Sequence, residues 1–105
     1  MSDKLVSLED LYQIVKDKIA RQEQGSYSYE IAKAGLEKSS RKVGEEALEV
    51  VIASFLDEKE QSDKTHQDLI GEIADLYFHS LILMAQRGVS VNEVLQELTR
   101  RNNKQ

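Results

Sequence analysis

The chain has 105 residues, the length of one domain expected to span residues 1–105, with no Pro, no Cys, no Trp and only 5 Gly. Without cysteine there is no disulfide framework, no thiolate-bound metal and no thiol nucleophile, and the composition fits a reducing, cytoplasmic compartment. Nineteen Asp+Glu against fourteen Lys+Arg leave a net charge of −5, which argues against a nucleic-acid partner. No apolar run reaches the roughly 18–20 residues of a membrane helix, which argues against a membrane partner.

Capping signals divide the chain into helical segments. Ser7-x-x-Asp10 opens the first, over about residues 8–24, where Leu8, Leu11, Tyr12, Val15 and Ile19 recur at helical spacing and Arg21 and Gly25 mark the end. A short turn or helix follows at 29–33, and then a second long helix over about 37–56. Residues 57–64 read as a polar connector. Thr65-x-x-Asp68 opens a third helix over about 66–87, stopped by Arg87-Gly88, and Ser90-x-x-Glu93 opens the last, over about 91–101. With no strand alternation of useful length, the expected fold is all-α: a helical hairpin within a bundle of about four helices. Apolar residues on the last two helices exceed what one such hairpin covers, so the expected assembly is a homodimer.

Charge is distributed unevenly. From Glu45 to Asp75 there are ten acids and two bases, a balance of −8, while the remainder carries +3. At ~100° per residue, Lys38, Lys42, Glu45, Glu46 and Glu49 fall within one arc of the second helix, and Asp68, Glu72, Asp75 and His79 form one stripe on the third. Two carboxylate pairs spaced i, i+3 result, Glu46/Glu49 and Glu72/Asp75. An acidic stripe is ordinarily a solvated face. Here both stripes adjoin apolar residues, Ala53 and Leu56 on one helix and Leu76, Ile82 and Leu83 on the other. Carboxylates gathered in a half-buried site need a cation, and oxygen ligands without cysteine suit Mg²⁺ or Mn²⁺ rather than zinc. Gly44 and Gly71 interrupt the two helices beside the acids at a cost of ~1 kcal/mol each relative to Ala, and suggest a close helix approach there.

The string Lys42-Val43-Gly44-Glu45-Glu46-Ala47-Leu48-Glu49, followed after 22 residues by Glu72-Ile73-Ala74-Asp75, resembles the E-E-x-x-E … E-x-x-D signature of the all-α, MazG-like nucleotide pyrophosphohydrolases. Within that superfamily the chain is most similar to the phosphoribosyl-ATP pyrophosphohydrolases of histidine biosynthesis, through Gly25-Ser26-Tyr27-Ser28, Asp75-Leu76-Tyr77-Phe78-His79 and Arg87-Gly88-Val89-Ser90. The resemblance covers about residues 8–101. It implies an Mg²⁺-dependent hydrolysis of the α–β phosphoanhydride of the nucleotide phosphoribosyl-ATP to phosphoribosyl-AMP and pyrophosphate. Glu46, Glu49, Glu72 and Asp75 would be the metal ligands, and Glu45 a further ligand or the group that orients or deprotonates the attacking water. By the same resemblance Glu46 would share the catalytic role. Lys38 and Lys42 would contact phosphates, Ser26 and Tyr27 the ribose or base, and His79 would support Asp75 from behind.

Ordinary helix chemistry accounts for some of the same residues. The two lysines serve equally as i, i+4 partners of nearby acids, and the two tyrosines of the Gly/Ser turn, Tyr27 and Tyr29, as packing against the second helix. Two rival functions stand beside the first: a house-cleaning pyrophosphohydrolase of non-standard nucleoside triphosphates, and a non-catalytic helical dimerisation module.

Overall fold

The computed structural model describes residues 4–104 and is all-helical, with α1 (Leu8–Ala20), α2 (Tyr27–Ala34), α3 (Leu36–Glu60), α4 (Asp63–Arg87) and α5 (Val91–Asn102). The N-terminal lead-in, residues 1–3, lies outside the described residues. Among those described, no helix is long and apolar enough to cross a membrane.

α3 and α4 have 25 residues each, so each is ~37 Å long, and they form an antiparallel hairpin. α1 and α2 lie across one half of that hairpin, and α5 packs back on α1. Two small apolar clusters hold this end. Tyr12, Leu81 and Val91 join α1, α4 and α5, while Val15, Ile31 and Ile82 join α1, α2 and α4. Along residues 47–77, the other half of the hairpin, only Ala53 and Thr65 are buried.

Helix ends differ from expectation where local hydrogen bonding offers a better stop. α1 ends at Ala20 rather than near residue 24. Gln22, at φ 54°, takes the left-handed position, its N–H bonds to the Ile19 carbonyl at 3.1 Å, and the Glu23 N–H reaches back to Lys18 at 3.1 Å. This pair of bonds is a Schellman closure, and Gly25 lies three residues beyond it. Gly88, at φ 69°, closes α4 in the same way, with Val89 N–H on the Met84 carbonyl at 2.9 Å.

The expected connector at 57–64 shrinks to Gln61 and Ser62. Thr65 is the third residue of α4 and not its cap: Ser62 Oγ accepts from the Thr65 N–H at 3.0 Å, and Thr65 Oγ1 accepts from the Ser62 N–H at 3.1 Å. The Thr65 hydroxyl also donates to Asp57 Oδ1 at 2.9 Å, tying the end of α3 to the start of α4. Asp68, expected to complete a cap, pairs instead with Lys64 at 2.8 Å. The short segment at 29–33 is a full helix from Tyr27, with Ser26 as its N-cap, and a single residue, Gly35, joins it to α3. With φ 108° and ψ 167°, Gly35 holds a conformation that a side chain would strain.

Replacing Ser62 by Ala removes one half of the reciprocal cap and leaves a helix-end N–H without its partner. Urea melts of Ser62→Ala are expected to show a loss of about 1 kcal/mol with an unchanged m-value.

Candidate metal centre

Glu46 projects from the inner face of α3 and is 6% exposed, the most buried carboxylate described. From α4, Glu72 and Asp75 meet it. One oxygen from each of Glu46, Glu72 and Asp75 lies within 4.8 Å of the others. Glu49, one turn along α3, lies against both Glu46 and Glu72. The hairpin pairing thus brings three of the four sequence-predicted ligands within 4.8 Å of one another and sets Glu49 beside them. Beside them a cleft of about 500 Å³ opens between α3 and α4, lined by Glu49, Ile52, Asp68, Gly71, Glu72 and Asp75 among others.

Crowding shows in the acidities. Burial pushes the Glu46 carboxyl above the usual carboxylate range, Glu49 and Asp75 add to the rise, and His79 opposes it. Glu72 is raised for the same reasons, desolvation first and then Glu49, Asp75 and Glu46. Glu46 Oε1 has Lys42 Nζ at 3.6 Å and His79 Nδ1 at 4.0 Å, whereas Glu46 Oε2 is buried with no hydrogen-bond partner. A buried carboxylate oxygen without a donor costs on the order of 1–3 kcal/mol, and a cation removes that cost. The oxygen-only donor set fits a hard divalent ion: Glu46, Glu49, Glu72 and Asp75 could hold it.

Other predicted residues take different places. Glu45 is exposed and stands outside the cluster, pairing with Lys42 at 3.5 Å and with Arg41 at 4.0 Å. Lys42 thus bridges Glu45 and Glu46. Burial would lower its pKa, but the charges around it outweigh that effect and the ammonium is held more firmly. Lys38 is half-buried one turn earlier, with no ion pair among the described residues. Ser26 is buried, and its hydroxyl accepts from the Tyr29 N–H at 3.2 Å. Tyr27 is 47% exposed, yet its hydroxyl lies 2.7 Å from His79 Nε2. His79 is buried and turns Nδ1 to the backbone carbonyl of Asp75, at 2.8 Å, not to its carboxylate.

Gly44 and Gly71 do not mark a close approach. A Cβ built at either position meets nothing within 4 Å, so the glycines leave open space beside the acids and do not admit a neighbouring backbone. The Tyr27–His79 contact is the feature that sequence reasoning missed. It joins residues 52 apart, and no periodicity encodes such a pair.

A family model described as phosphoribosyl-ATP pyrophosphohydrolase matches residues 8–102. The chain belongs to the phosphoribosyl-ATP pyrophosphohydrolase family. Among its relatives, the phosphoribosyl-ATP pyrophosphatase of Saccharolobus solfataricus is 41% identical over 101 residues, covering 96% of this chain and 98% of the relative. That of Listeria welshimeri is 40% identical over 97 residues, covering 92% and 86% respectively. This is a family of enzymes, hydrolases of phosphoanhydrides, and the match spans the whole hairpin and every acid of the cluster.

The raised pKa values of Glu46 and Glu72 fix the sign of a pH effect. In metal-free protein the folded state binds protons that the unfolded state has released, so the cluster's contribution to stability is present below the ordinary Glu pKa of about 4.3 and is lost as pH rises through the folded value. In EDTA, Glu72→Gln is expected to melt above the wild type at pH 7, with the gap closing toward pH 4. Excess Mg²⁺ should raise the wild-type melting temperature at pH 7 and leave the variant nearly unmoved, as thermal melts would show.

Proposed function

We propose that this chain hydrolyses the α–β phosphoanhydride of phosphoribosyl-ATP, releasing phosphoribosyl-AMP and pyrophosphate in the second step of histidine biosynthesis, and that it does so in the cytoplasm with Mg²⁺, or Mn²⁺, as cofactor. The observation that carries this reading is the cluster of Glu46, Glu72 and Asp75, with Glu49 beside it and an orphaned, buried Glu46 oxygen, in a chain of this family. Glu46, Glu49, Glu72 and Asp75 would hold the divalent ion. The ion's part is to neutralise phosphate charge and to make a bound water a better nucleophile.

The remaining roles belong to the chain's own groups. Glu45, exposed next to Lys42, orients or deprotonates the attacking water, since no cysteine competes as nucleophile. Lys42 sits on the Glu45 and Glu46 side of the cluster, where a polyphosphate brought to the acids meets its ammonium. Lys38, uncommitted one turn away, extends that positive edge along the phosphate chain.

The active form is proposed to be a homodimer. Leu48, Val51, Ile52, Phe55 and Leu56 on α3, with Ile70 and Tyr77 on α4, stand exposed along the open half of the hairpin, Phe55 at 67%. A second copy laid against the cleft side of α3 would bury Ile52 and Leu56 and cover the cleft, while Ile70 and Tyr77 lie on the other side of α4.

The direct assay measures pyrophosphate release from phosphoribosyl-ATP with and without Mg²⁺, beside a panel of canonical and modified nucleoside triphosphates. Turnover is expected with phosphoribosyl-ATP and Mg²⁺, and Glu49→Gln is expected to remain folded while losing at least a hundredfold in kcat, because one ligand of the ion is gone. Faster cleavage of modified triphosphates would make the protein a house-cleaning enzyme, and no cleavage of any would leave the helical-module reading. Sedimentation at low micromolar concentration should give a species of twice 12.0 kDa. A folded monomer under those conditions would remove the homodimer from this account.

A further inference from the structure

A part-buried polar chain reaches the cluster from outside the hairpin. Tyr27, the first residue of α2, places its hydroxyl 2.7 Å from His79 Nε2, and His79 Nδ1 lies 2.8 Å from the Asp75 carbonyl oxygen. A carbonyl only accepts, so Nδ1 carries the ring proton, and in the neutral imidazole Nε2 is left as the acceptor for the Tyr27 O–H. The rings around it leave little freedom. Tyr27 stacks on Phe78 at 6.0 Å, and both meet the imidazole edge-on, at 5.5 and 5.8 Å. His79 Nδ1 in turn faces Glu46 Oε1 at 4.0 Å, with both side chains buried.

The Tyr27 hydroxyl thus commits its one proton to His79 Nε2. We infer that Tyr27 is a positioning residue: through His79 it holds the wall against which the Glu46 carboxylate rests, so that Oε1 stays with Lys42 and Oε2 stays available to a cation. This rests on the metal-dependent reading above. It adds that α2, which supplies no ligand, sets the geometry of the most buried one. Without the hydroxyl, His79 Nε2 loses its donor and the imidazole is free to exchange its proton between the two nitrogens or to turn about χ2. Either change moves the surface that packs on Glu46.

The test is Tyr27→Phe, which keeps the ring in its stack and removes one oxygen. Three quantities are measured: Mn²⁺ affinity without substrate by electron paramagnetic resonance, the ¹⁵N resonances of the His79 ring, and kcat and KM for phosphoribosyl-ATP with Mg²⁺. The expected result is a Mn²⁺ affinity and a kcat each lower by about tenfold, a KM within about twofold of wild type, and His79 nitrogen signals moved from a single tautomer toward the average of two. A raised KM with unchanged kcat, Mn²⁺ affinity and ring signals would make Tyr27 a substrate contact and overturn the inference. Unchanged values throughout, or a variant that does not fold, would overturn it as well. The two readings fail differently. Wild-type protein that binds Mn²⁺ yet cleaves no phosphoribosyl-ATP sinks the function and leaves this inference to the first two measurements. A fully active wild type matched by Tyr27→Phe sinks only the inference, and a wild type that binds no Mn²⁺ sinks the metal assignment and the inference with it.

Discussion

Like charges held at close range set the central constraint on this molecule. Glu46 and Glu49 on α3 face Glu72 and Asp75 on α4, and Lys42 on one side relieves only part of their repulsion. The hairpin has to be closed by groups elsewhere. Its two ends supply them: the Ser62–Thr65–Asp57 knot at the turn, and the two apolar clusters that bind α1, α2 and α5 across the other end. The acids lie between, where neither element can move far enough to separate them. A site that costs stability when empty is stabilised by whatever cation fills it, and the same strain that weakens the empty protein sharpens its selectivity for charge.

Much of this arrangement was legible in the sequence, because hairpin registry is set by local rules. The i, i+3 spacing of each acidic pair puts both members on one face of a helix, and two long helices with a short connection must run antiparallel. Ser7 and Ser90 begin α1 and α5 as their capping patterns predict, the Ser90 cap with Glu93 being reciprocal. What was not legible falls into two kinds. Helix ends were misplaced where two signals competed: Ser62 and Thr65 are both good caps, and the earlier one wins because Thr65 then serves Ser62 and Asp57 at once. Gln22 and Gln61 took left-handed positions for which glycine is the ordinary marker.

The second kind is tertiary. Ser26 caps α2 and Tyr27 engages His79, contacts that their place in the family pattern does not announce. Gly44 and Gly71 read as close-packing positions because glycine weakens a helix, yet their surroundings are open. Both cases turn on what faces a residue across space. Helical periodicity gives the direction a side chain takes but not its neighbour.

The single-residue joint at Gly35 makes the chain unequal in its tolerance of length changes. α2 and α3 share that residue as C-cap and N-cap, so the direction of one helix is dictated by the other. An added residue there would rotate α2 by ~100° about its axis and carry Tyr27 off the His79 ring, whereas the turn between α1 and α2, with five residues before the Ser26 cap, has slack to absorb one. Insertions and deletions compatible with a working centre should therefore gather at residues 21–25 and avoid the joint, so that spacing from Tyr27 to Glu46 is kept even where spacing from α1 to Tyr27 drifts.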